Sequence, residues 1–520
     1  MKKFNISGPC NSAEHYMIDA ATRLQGVEEL IDDKQYFVIH AARQSGKTTY
    51  LKDLANRLNA GGKYYTLWCS LEGMSNIVEP KTGIPAIVRT LKSAFEDMDI
   101  PHGSDFAKDA DYEDFTGVLK TSLKRFCKLL DKPLVILFDE VDCLSEGTLI
   151  SFLRQLRDGY NGRPEQVFVH SVALVGMLNI RDYKARVRPE SATLGSASPF
   201  NIVTKTYTLQ NFTKEEITQL YRQHTNETGQ AFEEDAIELV YEQTQGQPWL
   251  VNVIAREVIM EILKSDYTKP VTAELVTQAI QNIILVRPAH IDSLLERLNE
   301  ERVRKVMEPI ILGEGFIDIE SDDFLYAKDL GLIRTDDHDG RIKPSNPIYT
   351  EVIVRKLSSI VQKELQNTKY PYQIARYLKN GRIDMDYLMR DFQQFWCENS
   401  AIWKEKFDYK EAAPHLIMMA FLQRVANGGG QIIRDIASGT GRLDICLIYE
   451  NRKYPIELKI RYGDKYLEKG LTQIAGYMDI FGCDEGWMVI FDRRKTVKWA
   501  DKLYIKKETV DGKTVTIVGA

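Results

Sequence analysis

The sequence lacks several features that would assign the chain to a broad class. No apolar run reaches the roughly 18 to 20 residues that cross a bilayer, and no apolar stretch follows the two N-terminal lysines as in a secretory signal. The seven cysteines are odd in number and form no Cys-x-x-Cys pair, so the usual zinc and redox motifs are absent. Lys plus Arg number 68 against 74 Asp plus Glu, so bulk charge gives no sign of nucleic-acid binding. These absences predict a cytoplasmic chain with no membrane segment.

Changes of pattern along the chain indicate its organisation. Its 520 residues exceed what one hydrophobic core usually holds. Residues 35–205 alternate short β-rich apolar runs with helical stretches, which predicts a parallel sheet flanked by helices. Residues 206–365 show helical apolar spacing and then a hairpin signal, and the remainder returns to strands and helices. The predicted fold class is α/β, with a second, smaller α/β domain at the end of the chain.

The segment YFVIHAARQSGKTTYLKDLANRL has the order of an apolar strand, a short loop and a helix. In a phosphate-binding loop of this kind, backbone N–H groups and the positive end of the helix surround phosphates. Lys47 would neutralise the β and γ phosphates of ATP, and Thr48 would place its hydroxyl on Mg²⁺. Ala41 replaces the first glycine of the common pattern, so the loop must turn there without a glycine's freedom. The predicted nucleotide-binding residues are Gln44, Ser45, Gly46, Lys47, Thr48 and Thr49.

A second motif, KPLVILFDEVDCL, is a β run that ends in Asp139 and Glu140. At the carboxyl end of a neighbouring strand, Asp139 would hold Mg²⁺ and Glu140 would orient or deprotonate the attacking water. Each motif alone has a plainer explanation. GKTT also suits an ordinary helix N-terminus, and an acidic pair also suits a solvated strand end. Their occurrence together predicts that the chain binds and hydrolyses ATP.

These motifs resemble the archaeal-type and STAND-like branch of AAA-related P-loop ATPases over roughly residues 1–360. The resemblance extends to the strand ending VALVGMLN, the lid phrase QGQP and the winged-helix phrase PSNPIYTEVIVRKL. It implies that Gly246 and Pro248 head a lid helix that senses the nucleotide, although a simple turn explains the phrase equally well. It also implies a γ-phosphate sensor, either Asn179 or Arg181. The implied organisation is an ATPase core at 1–205, a helical lid at 206–285 and a winged helix at 286–365.

A third segment, GRLDICLIYENRKYPIELKI, predicts two alternating strands around the polar turn ENRK. Pairing Tyr449 with Tyr454 gives one apolar face, made of Leu443, Ile445, Leu447, Tyr449, Tyr454, Ile456, Leu458 and Ile460. On the opposite face, Asp444 would lie across from Lys459 at roughly 5 Å and diagonally from Glu457 at roughly 7 to 8 Å. Two such carboxylates can share a divalent cation, and the lysine can activate a water. The plainer alternative is an ordinary cross-strand ion pair.

This Asp followed by Glu-x-Lys resembles the PD-(D/E)XK nuclease core over about residues 400–495. The resemblance implies that Asp444 and Glu457 bind magnesium and that Lys459 takes part in catalysis. It also gives catalytic roles to Gln473 and Tyr477, which match the Q-x-x-x-Y helix of several branches. A further acid on the preceding helix is usual, and Glu411 is the nearest candidate. The proline of the family name is missing, since Arg442 and Leu443 precede Asp444. Residues 366–520 are therefore predicted to form a restriction-endonuclease-like domain.

The leading functional hypothesis is an ATP-dependent nuclease acting on DNA, with ATP and Mg²⁺ as cofactors and nucleotide state controlling the C-terminal site. An alternative is an ATP-driven switch or adaptor whose nuclease-like fold only binds a partner. A third class is a signalling ATPase without affinity for nucleic acid. No membrane partner is predicted, and the family resemblance allows a homo-oligomer.

Overall fold

A computed structural model describes the chain in two compact units. It describes all residues except 20–22, 164, 178–202, 313–317, 336–341, 365–373, 407–417, 420, 423–430, 439–440, 462–465, 493–496 and 498. The first unit comprises Met1–Glu296 and Asp318–Thr350, and the second comprises Arg297–Ile317 and Glu351–Ala520.

The first unit is built on a parallel five-stranded sheet with helices around it. The strands are β1 (Tyr36–His40), β2 (Tyr65–Ser70), β3 (Leu134–Asp139), β4 (Ser171–Gly176) and β5 (Val203–Thr208), in the order β2-β3-β4-β1-β5. Their connecting helices are α1 (Val27–Asp32), α2 (Lys47–Ala60), α3 (Pro80–Asp97), α4 (Val118–Cys127) and α5 (Glu146–Asn161). Every residue of β3 and β4 is buried, because a parallel sheet is covered on both faces. This explains why these strands appear in the sequence as continuous apolar runs.

Helices follow the sheet, in agreement with the predicted periodicity. They are α6 (Lys214–Thr228), α7 (Glu234–Thr244), α8 (Pro248–Arg256), α9 (Ala273–Val286), α10 (Ala289–Arg297), α11 (Glu301–Leu312), α12 (Asp322–Asp329) and α13 (Pro347–Glu364). A π-helical turn, Glu257–Ile262, extends α8. Helix α6 begins with a capping box, in which the Thr213 hydroxyl accepts from the Glu216 N–H and the Glu216 carboxylate accepts from the Thr213 N–H.

A short antiparallel pair lies where the sequence predicted a hairpin. Strand β6 (Ile333–Thr335) pairs with β7 (Ile342–Pro344), and Ile333 lies opposite Pro344. The turn at Asp339 and Gly340 lies outside the described residues. The assignment of residues 286–365 to a winged helix remains a prediction.

The second unit contains a mixed six-stranded sheet. After the short pair β8 (Leu378–Lys379) and β9 (Arg382–Ile383) and helix α14 (Met385–Lys406), the strands are β10 (Gln431–Ser438), β11 (Gly441–Tyr449), β12 (Arg452–Arg461), β13 (Glu485–Asp492), β14 (Tyr504–Val510) and β15 (Lys513–Gly519). Their order is β10-β11-β12-β13-β15-β14. Helix α15 (Tyr466–Phe481) connects the parallel neighbours β12 and β13, and α16 (Trp499–Lys502) precedes β14.

None of the helices in the described ranges combines the length and the apolar character that a membrane crossing requires.

Candidate functional site

The predicted phosphate-binding loop connects β1 to α2, and its turn lies later than the sequence indicated. Left-handed backbone occurs at Gln44 (φ 62°) and at Gly46 (φ 93°), which is the N-cap of α2. Ala41 is not among the residues with positive φ and is buried. The loop therefore passes Ala41 without positive φ, as predicted, but its turn lies at the later residues. The loop bends at Gln44 and Gly46, which both adopt the left-handed region. A glycine at position 41 is therefore not required.

The inner surface of this loop is rich in unused hydrogen-bond donors. In the part of the chain that the structure describes, none of the backbone N–H groups of residues 42–46 donates a hydrogen bond. The Ser45 hydroxyl is buried and likewise has no partner among the described residues. Buried donors need acceptors. Such a run of amides at a helix N-terminus suits the oxygens of a phosphate chain.

Lys47 is buried beside the loop, with 8% of its surface exposed. Its ammonium donates to the carbonyl oxygens of Ala41 at 2.6 Å and Ala42 at 2.9 Å. Burial lowers the pKa of Lys47, and the neighbouring carboxylates, of which Asp142 has the largest effect, oppose that shift. Among the described residues, the hydrogen-bond partners of this cation are neutral carbonyls, so an anionic ligand would be a better partner.

The predicted magnesium ligands of this unit are brought into direct contact. The Thr48 hydroxyl donates to Asp139 Oδ2 at 2.7 Å, and the Trp68 indole N–H approaches the same oxygen at 3.4 Å. The two motifs were predicted to lie on neighbouring strands, and this is wrong, because β4 lies between β1 and β3. Contact is still made because α2 packs on β2 and β3, so its first turn reaches across β4. A hydroxyl beside a carboxylate is a fitting pair of hard oxygen ligands for Mg²⁺.

Glu140 follows Asp139 in a left-handed conformation with φ 56°. Burial raises the pKa of Glu140, and the charges of Asp142 and Asp139 add to the effect. A carboxylate with a raised pKa beside the predicted magnesium ligands is suited to accept a proton from water. The left-handed backbone of a non-glycine residue at this position is the kind of strain that functional sites store.

Asp142 is a third acidic residue of this cluster that the sequence analysis did not single out. Its Oδ2 accepts the backbone N–H of Met177 at 3.2 Å, directly after β4. Its Oδ1 is buried with no partner among the described residues. The repeated acid in DEVD was the available signal. The sensor candidates Asn179 and Arg181 lie outside the described residues.

The lid phrase Gln245-Gly246-Gln247-Pro248 contacts the loop through a residue that the prediction passed over. A side chain at Gly246 (φ 71°) would lie 1.8 Å from the Phe212 carbonyl oxygen, so only glycine fits. Gln247 then caps α8 through its Oε1, which accepts from Leu250 N–H at 2.6 Å. Its Nε2 donates to the Gln44 carbonyl at 3.4 Å. Pro248 is buried at the first position of α8.

Segments from both ends of the first unit also contact the loop and its helix. The Thr49 hydroxyl accepts the backbone N–H of Cys10 at 3.0 Å. From the C-terminal side, Ser293 Oγ accepts from Arg43 at 2.6 Å, and Asp329 lies 3.5 Å from His40 Nε2. The backbone of Gly331 approaches so closely that a side chain there would lie 2.4 Å from the Ala42 Cβ. Thr49, predicted to bind nucleotide, thus already has a protein partner.

The C-terminal hairpin has the predicted faces but not the predicted register. Tyr449 pairs with Arg452 and Ile445 with Ile456, so the proposed Tyr449–Tyr454 pairing is wrong by two residues. The reason is the turn. Glu450 (φ 46°) and Asn451 (φ 63°) both take positive φ, as a two-residue type I′ turn requires, where a four-residue turn was expected. Because a shift of two residues preserves the faces, Ile445, Leu447, Ile456 and Leu458 are buried as predicted.

The new register changes the neighbour of Asp444. Pairing ends at Ile445 and Ile456, so Asp444 and Glu457 are the next residues along the two strands. The register position of Asp444 is therefore next to that of Glu457, beyond the Ile445–Ile456 pair. The predicted position across from Lys459 is wrong. The side chain of Asp444 and the whole of Glu411 lie outside the described part of the structure.

Glu457, Lys459 and Gln473 meet on one face of the second sheet. The Glu457 side chain is fully buried, and Lys459 Nζ donates to its Oε1 at 2.5 Å and to Gln473 Oε1 at 3.1 Å. Gly470 makes room for this lysine, because a side chain there would lie 3.3 Å from Lys459 Cε. Tyr477, one turn after Gln473, is buried in an apolar cluster with Cys446, Ile448 and Phe481. Among the described residues, no group of three or more His, Cys, Asp or Glu is arranged to hold a metal ion.

Comparison with protein families identifies part of the first unit. Residues 119–354 match the family model described as an AAA-like domain. The parallel sheet with its helices and the loop between β1 and α2 match a P-loop NTPase fold. A comparison with curated proteins found no match.

Several solved structures are similar to this chain over their own full length. A Walker-type ATPase of Pyrococcus abyssi is 14% identical over 67% of this chain and 99% of its own, with a TM-score of 0.46. Cdc6p from Pyrobaculum aerophilum is 14% identical over 70% of this chain and 98% of its own, with a TM-score of 0.37. RuvB of Thermotoga maritima, a Holliday junction branch migration motor, is 13% identical over 64% of this chain and 92% of its own, with a TM-score of 0.33. All three are distant likenesses.

Proposed function

We propose that this protein binds and hydrolyses ATP in its first unit and that nucleotide state controls a metal-dependent nuclease site in its second unit, with DNA as substrate. The ATPase part rests on the contact of Thr48 with Asp139 beside a loop whose amides have no acceptors among the described residues. The nuclease part rests on the fully buried Glu457 held by Lys459 on the face that also carries Gln473.

In the first unit, each group has a chemical role. The amides of residues 42–46 and the Lys47 ammonium bind the phosphate chain, with Lys47 leaving the carbonyls of its own loop. Thr48 and Asp139 would hold Mg²⁺, which supplies charge neutralisation at the phosphates when bound. Glu140 orients the attacking water and accepts its proton, since it directly follows Asp139 at the end of β3.

In the second unit, Glu457 and Asp444 would supply the carboxylates that hold a divalent ion. Carboxylates of this kind fit Mg²⁺ or Mn²⁺, which would stabilise charge on a phosphodiester when bound. Lys459 then orients the attacking water, and Gln473 fixes its ammonium. The order of an antiparallel pair, a helix and a parallel strand, formed by β11, β12, α15 and β13, supports the likeness to PD-(D/E)XK nucleases.

DNA is proposed as the substrate on the strength of the two resemblances. The hairpin β6–β7 supports a winged helix at 286–365, and winged helices commonly contact nucleic acid. A homo-oligomer is part of the proposal by the same analogy with AAA-related ATPases.

The decisive experiment incubates the purified chain with plasmid, linear and single-stranded DNA and with RNA, with and without ATP and Mg²⁺ or Mn²⁺. We expect cleavage of DNA that requires a divalent ion and changes with ATP. Glu457→Ala should abolish this cleavage by removing a metal ligand, whereas Lys459→Ala should keep the ion bound and slow the chemical step. Both variants should still hydrolyse ATP. Cleavage that survives in Glu457→Ala would contradict the proposal.

A second function, an ATP-driven switch or adaptor with an inactive nuclease-like module, is favoured by one observation. The Lys459 ammonium lies 2.5 Å from Glu457 and already neutralises the carboxylate that would bind the ion. Calorimetric titration of Mn²⁺ into the wild type and into Asp444→Asn separates the two functions. Binding that the variant loses supports the nuclease, and equal titrations support the adaptor.

A further inference from the structure

Side chains from outside the phosphate-binding loop hold its carbonyl oxygens. Gln247 of the lid donates to the Gln44 carbonyl at 3.4 Å, and Arg23 donates to the Ser45 carbonyl at 3.4 Å. Lys47 holds the carbonyls of Ala41 and Ala42 from within the motif. In contrast, the N–H groups of residues 42–46 make no hydrogen bond within the described ranges. The carbonyl groups of the loop are thus hydrogen-bonded by side chains, whereas its N–H groups remain available within the described ranges.

The geometry of the peptide unit connects these two facts. In a planar trans peptide, the carbonyl and the following N–H point in opposite directions. A carbonyl of Gln44 held by the lid therefore turns the Ser45 N–H to the other side. A carbonyl of Ser45 held by Arg23 does the same for the Gly46 N–H. The left-handed conformations at Gln44 and Gly46 belong to this arrangement, and without an anchor each peptide could rotate.

We infer that Arg23 and Gln247 are positioning residues that pre-organise the loop amides of Ser45 and Gly46 for the phosphates of a nucleoside triphosphate. The inference rests on the proposed ATP binding and adds two residues from outside the motif. Pre-organised donors bind an anion more tightly because the cost of ordering them is met during folding.

Arg23 is built into a site of its own beside the loop. Its guanidinium also donates to the Gln210 carbonyl and lies 4.9 Å from the centre of the Phe212 ring. Burial lowers the pKa of Arg23 to about 10, so the side chain stays charged at neutral pH. A single nitrogen, Nη2, donates to both carbonyls and therefore connects the loop to the chain segment that enters the lid. A lysine could keep the charge but not the flat guanidinium with its fixed donor directions.

Gln247 is held so that only its amide nitrogen is left for the loop. Its oxygen accepts from the Leu250 N–H at 2.6 Å, which directs Nε2 to the Gln44 carbonyl. Gly246 fixes the approach of this turn to Phe212. Gln247 thus connects the lid to the Gln44 carbonyl. Arg23 connects the segment that enters the lid to the next carbonyl, that of Ser45.

Two variants of the full chain separate positioning from charge and from folding. Arg23→Lys keeps the positive charge, and Gln247→Ser keeps an N-cap acceptor for α8 but is too short to reach Gln44. Gln245→Ser is the matched control, because that amide donates only to Glu242 of its own helix. ATP affinity would be measured by titration with a fluorescent ATP analogue, together with KM, kcat and the melting temperature.

We expect the two variants to bind ATP about tenfold more weakly and to raise KM by a similar factor, with kcat and melting temperature near those of the wild type and of Gln245→Ser. Wild-type affinity in both variants would overturn the inference. So would a loss of affinity in Gln247→Ser that is matched by a fall in melting temperature, since the residue would then be structural only. A wild type that binds no ATP would instead refute the proposed function itself.

Discussion

The chain places a lysine at each of its two candidate sites, and the two are held in different ways. Lys47 donates to the neutral carbonyls of Ala41 and Ala42, whereas Lys459 forms an ion pair with the fully buried Glu457 and a hydrogen bond to Gln473. A cation that is hydrogen-bonded to neutral carbonyls can exchange them for a charged ligand. A cation that is paired with a buried carboxylate has already lost most of that attraction.

This difference indicates which kind of ligand each site lacks. Among the described residues, the first site presents amides without acceptors and a cation hydrogen-bonded to neutral carbonyls, so its missing component is an anion. The second presents a carboxylate whose charge is balanced from within, so a divalent ion there must compete with Lys459. The following predictions test this contrast, beginning with the largest expected effect.

Glu140→Gln should lower the rate of ATP hydrolysis about a thousandfold and leave ATP bound. The amide keeps the shape of the side chain but cannot accept the proton of the attacking water. Single-turnover hydrolysis and nucleotide binding would be measured on the same preparation, with Asp139→Asn as a comparison that should weaken Mg²⁺-dependent binding. Turnover at the wild-type rate would exclude Glu140 as the water-positioning residue.

Lys459→Met should destabilise the second unit by about 3 kcal/mol, because Glu457 would remain buried without its lysine. The double variant Lys459→Met with Glu457→Gln should regain much of that loss, because no charge is then left behind. Urea unfolding of the three proteins measures the effect. If the single variant is as stable as the wild type, the ion pair does not define this site and the contrast with Lys47 fails.

Lys47→Ala should weaken ATP binding about a hundredfold, since the ammonium is the main fixed charge opposite the β and γ phosphates. In the absence of nucleotide its free energy of unfolding should change by less than about 1 kcal/mol, because the partners it leaves are carbonyls and not carboxylates. Unchanged affinity would remove the nucleotide assignment. A large loss of stability without nucleotide would show that Lys47 is structurally paired, as Lys459 is.

The surroundings of the first site predict a pH dependence through His290. This imidazole donates to or accepts from the Tyr349 hydroxyl at 2.8 Å and packs on Trp249. Burial, with a contribution from Arg43, lowers the pKa of His290 from 6.5 to about 4. On acidification the unfolded chain takes up the proton first, so this contribution is complete above about pH 6.5 and is lost as pH falls towards 4.

Between pH 7.5 and pH 5 this effect amounts to about 2 kcal/mol. His290→Gln should therefore lose about that much less stability than the wild type over the same interval, measured by urea unfolding at both pH values. The difference between the two proteins cancels the other histidines. Equal losses of stability in the two proteins would mean that His290 is solvated in the folded state.

The local parts of both sites were predictable from sequence because they depend on short-range pattern. The strand, loop and helix around Lys47, the acidic end of β3 and the alternation that buries Ile445 and Ile456 each lie within one stretch of chain. The hairpin register was missed because it depends on whether two or four residues form the turn. Glu450 and Asn451 give little of the Asn-Gly signal that usually marks a type I′ turn.

The contacts that surround the nucleotide loop were not predictable in the same way. Trp68 reaches Asp139 from another strand, and Arg23 and Gln247 reach the loop from 22 and more than 200 residues away. No periodicity or motif records such pairs, since they arise only when the sheet order and the lid position are known. Asp142 was the exception. The repeated acid of DEVD was visible and was passed over.

The approach of Gly331 and Asp329 to Ala42 and His40 has a consequence for synthesis of the chain. These partners leave the ribosome about 290 residues after the loop, which at about 5 to 20 residues per second is an interval of about 15 to 60 s. During that time the sheet and the loop can form while the segment that packs on Ala42 does not yet exist. The nucleotide pool therefore reaches the nascent loop before its last neighbours do, and a bound nucleotide would be present when the first unit closes.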